Sequence, residues 1–311
     1  MIDPILHGMR RILLAGTLAA LAAAAVAAPP APATAPTPAE SATRVAKVQK
    51  DADQFALISG RGSAQVCKAG FESLRRGALR GNAVDQLTLG ALYLHGRVCG
   101  RFHLARDDHK ASLYLAHAAI QGRLLAMPAL AELDVRRGRA LEANVWALAY
   151  LHYAVPKQQN TGYPASLLHR TLGMLSAAQN KQIVRDTNAF ILRYNAGIEA
   201  ALHQQAQPPT ACRPRPVGAH SRVPLLQPFS RIHIVAMHRA LVLYLVAYDR
   251  DGRVQKLATV FAEPRWRDAR RLRQIAEQRR VSAAPACDTA LRWAFLPVEL
   301  DKHKYRISHR G

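Results

Sequence analysis

Thirteen histidines and four cysteines are the residues of this chain with the most chemistry to offer. A zinc ion needs three or four His, Cys or acidic ligands that converge on one point. His233 and His238 stand five apart in a stretch with strand character, so their side chains would leave opposite faces. His103 and His109 fall in a loop with no clear carboxylate partner, and His152 and His169 read as surface or packing residues. Asp107-Asp108 precedes an apolar helical stretch and reads as a helix cap. The chain carries no glycine-rich phosphate loop, no HExxH and no GxSxG. No metal, cofactor or catalytic residue is therefore expected, and the protein reads as non-enzymatic.

The cysteines point elsewhere. Cys67, Cys99, Cys212 and Cys287 are even in number, contain no CxxC and are too widely spaced for a zinc site. Four cysteines allow three pairings. Two lie in the first half of the fold and two in the last, so Cys67 with Cys99 and Cys212 with Cys287 is the simplest arrangement. Each closed loop would stabilise by about 3 to 4 kcal/mol in the chain-entropy picture. Cysteines held in pairs are not available as nucleophiles.

Disulfides imply an oxidising compartment, and the start of the chain agrees. Arg10-Arg11 precedes ILLAGTLAALAAAAVAA, Ile12 to Ala28, an apolar stretch with small residues at Ala25 and Ala27. Residues 1–28 thus read as a secretory signal peptide, with a retained helical anchor as the alternative. Lys and Arg outnumber Asp and Glu by 43 to 21, a formal charge of +22. The arginines are scattered with few aromatics among them, so nucleic acid is not the expected partner; acidic proteins and anionic lipid headgroups are. A periplasmic protein, cleaved or anchored at the inner membrane, is the expectation.

The elements that would carry these residues fall into two blocks. Residues 29–62 open with PPAPATAPTPAES and read as an extended linker. Over 63–205 the apolar residues recur at helical spacing, as in Leu87, Leu89, Leu92 and Tyr93, with Gly96, Gly122 and Gly138 at the expected stops. Ser176 and Gln179 form a capping box for a long last helix. The expectation is a solenoid of antiparallel helix pairs. Residues 206–230 are proline-rich and read as a second linker. From 231 to 311 the period changes to two, and LYLVAYDRDGRVQKLATV places a hairpin turn at Asp251-Gly252. A helix follows from Trp266, then a last strand at HKYRISHR, which predicts a small α+β domain with a three-stranded antiparallel sheet.

Ala83, Leu89-Gly90, Tyr93 and Gly96, then Ala111, Tyr114, Ala118-Ala119 and Gly122, resemble the Sel-one-like repeats, a tetratricopeptide-related family. A second copy keeps Ala126, Leu130, Ala143 and Trp146 but has Asp134 where a tyrosine belongs. The resemblance implies stacked helix pairs that offer a concave face to a protein partner. The last block resembles the carboxy-terminal domain of TonB-type energy transducers through Gly252, Trp293, Phe295 and Pro297. That family's tyrosine-proline pair is missing, and the segment before Trp293 is longer. The resemblance implies a periplasmic unit that takes up an extended peptide by strand addition, with Lys304, Tyr305, Arg306 and Ile307 on the edge strand. Basic residues at an edge also repel unwanted strands, so both roles stay open for them. The expected function is a periplasmic adaptor of the cell envelope. The alternative is a secreted cell-wall hydrolase or a binder of penicillin-like compounds.

Overall fold

The computed structural model describes residues 38–156, 162–206, 214, 239–284, 287, 290–301 and 304–307. The expected signal segment, nearly all of the 206–230 linker, Cys212, His233 and His238 lie outside them. The chain divides into two compact units, 1–42 and 43–311, and of the first only the opening turn of one helix is described. The architecture is that of the second unit. Among the described residues no helix is long and apolar enough to cross a membrane.

The expectation of a linker over 29–62 is corrected for residues 38–59, because Pro38–Ser59 form helix α1. Pro38 stands at the first turn, where its missing N–H costs nothing, and no proline or glycine follows before Gly60. Its end is anchored by Leu57 and Ile58, both buried, and α2 (Ala64–Leu79) crosses it at Gly70, where an added Cβ would lie 2.3 Å from the Asp53 carbonyl oxygen.

Seven helices then follow in series: α2, α3 (Ala83–His95), α4 (Asp108–Ile120), α5 (Ala126–Arg136), α6 (Ala140–Ala154), α7 (Gly162–Leu172) and α8 (Ala177–Ala206). Their starts carry the caps that the sequence announces. Asp107 accepts from Lys110 N at 2.9 Å, and Ser176 and Gln179 bond each other's backbone N–H at 2.9 and 3.3 Å. Each helix from α2 to α6 packs on the next, and α8 lies along α4 and α6. Gly90 is what lets α3 and α4 meet closely, since a Cβ there would sit 2.8 Å from Leu115 Cγ. Tyr93 stacks on Tyr114 at 6.0 Å between ring centres, and Trp146 meets Phe190 of α8 at 5.2 Å. These repeat aromatics are packing residues. Asp134, the departure from the repeat pattern, is buried and ion-paired with Arg139 across the α5–α6 turn, so it holds that turn by charge instead of by ring stacking.

The loop expected around His103 contains a short hairpin, β1 (Arg97–Cys99) and β2 (Phe102–Leu104). A disulfide joins Cys99 to Cys67 of α2, and the pair sits in a small core with Leu57, Leu74 and Leu92.

The last block forms β3 (Ala240–Tyr248), β4 (Val254–Glu263), α9 (Arg267–Glu277), β5 (Arg292–Asp301) and β6 (Lys304–Ile307). The expected three-stranded antiparallel sheet is present as β4-β3-β5, and β6 extends it to the order β4-β3-β5-β6. Residues 292–301, given no element from the sequence, form the strand beside β3.

Residues of β3 are buried without exception. Ala240, Val242, Tyr244, Val246 and Tyr248 pack beneath α9, whose Ala269, Leu272 and Ala276 cover them. Leu241, Leu243 and Leu245 point the other way, into a core shared with Leu94 of α3, Leu130 of α5 and Tyr163 of α7. This is why both registers of β3 are apolar. The two blocks are therefore layers of one structure, with the sheet between α9 and the helical stack.

Candidate functional site

Two features of the sheet could engage another molecule, one at each edge. The first is β6. Its register against β5 sets Ile307 opposite Val298, Arg306 opposite Glu299, Tyr305 opposite Leu300 and Lys304 opposite Asp301. Standing last in the order β4-β3-β5-β6, it has no strand on its far side among the described residues. Such an edge presents every second backbone N–H and C=O outward. The four residues named from the sequence thus lie together on one edge strand.

The signature residues do not join them; they build the sheet. Gly252 has φ +80°, and a Cβ on it would meet the Val281 carbonyl oxygen at 1.9 Å. Its own carbonyl accepts from Val281 N at 2.9 Å, which pins the hairpin tip to the chain after α9. Trp293, Phe295 and Pro297 of β5 pair with Ala247, Leu245 and Leu243 of β3, and so face the helical stack. Trp293 meets Phe55 of α1 at 5.3 Å. Cys287 is disulfide-bonded, while Cys212 lies outside the described residues. His103 and His109 are exposed on β2 and α4, and among the described residues they are not brought together with further ligands.

Helices α3, α5 and α7 turn one face toward the carboxy-terminal block. Here the chain's own sheet covers it, and a set of buried charges locks the cover down. Glu263 of β4 is fully buried, 3.3 Å from His95 Nε2 and 3.6 Å from an Arg136 guanidinium nitrogen. Glu299 of β5, also fully buried, accepts from the Tyr163 backbone N–H. Glu132 of α5 accepts from the Tyr163 hydroxyl at 2.6 Å and from Arg170 at 2.5 Å. Burial, then the Glu132 carboxylate, holds the Tyr163 hydroxyl protonated well above the ordinary tyrosine range. Buried carboxylates with such partners tie layers together, since removing one partner strands a charge in the core.

The second feature sits at the β4 edge and was missed from the sequence. A cleft of about 210 Å³ opens between the end of α1, the start of β1, the middle of β4 and α9. Arg61, Arg97, Arg270 and Arg273 line it with Trp266, and among the described residues no acidic one does. The arginines come from three separated segments, so no local run announces them.

No family model matches the chain, and no curated protein matches it. Among solved structures, it is similar to a protective antigen of uropathogenic Escherichia coli displaying an SLR fold, at 20% identity over 55% of this chain, with a TM-score of 0.40. The chain spans 36% of that antigen.

Proposed function

We propose that this protein is a non-enzymatic, exported adaptor of the cell envelope that takes up an extended peptide by strand addition at β6. The observation that carries the reading is that β6 is paired on one side only among the described residues. The sheet already occupies the inner face of the helices, so the helical stack acts as the frame that presents this edge. Disulfide pairing of Cys67 with Cys99, the signal-like segment before residue 29 and the TonB-like signature support a periplasmic site of action. Main-chain bonding supplies the affinity in such docking, and the basic residues of β6 favour an acidic peptide.

Proline scanning of the edge tests this. Successive N–H groups of a strand point to opposite sides, so of Tyr305→Pro and Arg306→Pro one removes an outward donor and the other a bond to β5. Capture of the partner from envelope extracts should fall at least tenfold for the outward position, with the thermal transition of the chain unchanged. Undiminished capture by both variants would refute strand addition.

A further inference from the structure

We propose that the cleft at the β4 edge is a binding site for a small soluble molecule carrying a phosphoryl group. Arg97 is one of the residues that line it. It follows the last turn of α3 and reaches in beneath Trp266, with its guanidinium carbon 5.1 Å from the indole centre. One guanidinium nitrogen donates to the Thr259 carbonyl at 3.4 Å, a long bond, and Nε is buried with no acceptor. Burial lowers its pKa to about 10. A guanidinium withdrawn from water is costly unless an anion faces it. Glu263, the buried carboxylate at the end of β4, does not serve, because it is engaged by His95 and Arg136, with His95 against the Trp266 indole at 5.0 Å.

The neighbours repeat the pattern. Arg273 is paired with Glu277 at 2.6 Å, but among the described residues no carboxylate pairs with Arg61, Arg97 or Arg270. Three cations without counter-charge around one recess match a dianionic phosphoryl group better than a single carboxylate, and planar guanidinium forks bind its oxygens in pairs. Phe55, Ile58, Leu257, Ala258 and Ala269 supply the apolar part of the wall, with Ser59 and Thr259 beside them. A recess of about 210 Å³ admits a small phosphorylated molecule, not a chain of nucleotides. This site lies at the sheet edge opposite β6 and is independent of the peptide reading.

Calorimetric titration of the full chain with inorganic pyrophosphate tests the assignment. Saturable one-to-one binding is expected, weakened at least tenfold in Arg97→Gln. Because Arg97 is partly buried, Arg61→Gln and Arg270→Gln serve as surface variants and should each weaken binding severalfold. Arg193→Gln, an equal loss of charge on exposed α8, should leave it unchanged. Absence of saturable binding, equal weakening by Arg193→Gln, stronger binding of succinate than of pyrophosphate, or binding seen only on phosphatidylglycerol vesicles would each overturn the proposal.

Discussion

Gly252 meets two demands at once, a positive φ and a carbonyl oxygen of Val281 where a side chain would begin. Gly252→Ala should therefore destabilise by about 2 kcal/mol or more, read as a lowered midpoint in urea, whereas relief of chain entropy would raise it. The buried phenols give a second residue-scale prediction. Burial raises the pKa of Tyr150, Tyr163 and Tyr244, and that of Tyr248 to about 12. In the unfolded chain these groups ionise near the ordinary value of about 10. The unfolded state thus releases protons first, so stability is fully present below about pH 10 and declines as pH rises towards 12. Each phenol contributes a slope of about 1.4 kcal/mol per pH unit. Urea midpoints measured from about pH 9 to 11.5 should fall steadily; a flat profile would contradict the burial of these hydroxyls.

At the scale of elements, sequence patterns stated the type of most segments because their signals are local. A cap such as Asp107 or the Ser176–Gln179 box needs only neighbours a helical turn away. Helix α1 was hidden by the proline-rich stretch that leads into it, and β5 by Pro297 and the flanking segment. The β1–β2 hairpin was hidden by its length. What fastens that hairpin is covalent: the Cys67–Cys99 bond closes a separation of 32 residues. Replacing both cysteines by serine should cost about 3 to 4 kcal/mol, measured by chemical denaturation, with the helical circular dichroism retained at low temperature.

For the molecule as a whole, the shared core between β3 and the helices argues against two independently folding domains. Leu241, Leu243, Leu245 and Phe261 sit in one cluster with residues of α3 through α8. Calorimetry of the full chain should show one cooperative transition. Two separated transitions would mean that the layers unfold apart. A fragment ending at residue 206 should expose the covered face of α3, α5 and α7, and so aggregate or bind a hydrophobic dye strongly.

Helix periodicity, strand alternation, turn glycines and cysteine spacing reside in short stretches of chain, and from these came the series of helices, the hairpin at Gly252, the last strand and the Cys67–Cys99 pairing. Tertiary structure decided which surfaces remain open. The sheet fills the helical face because the apolar leucines of β3 need a second covering layer. Arg61, Arg97, Arg270 and Arg273 converge only because α1, β1 and α9 meet at β4, and convergence of segments so far apart in the chain leaves no periodic trace in sequence.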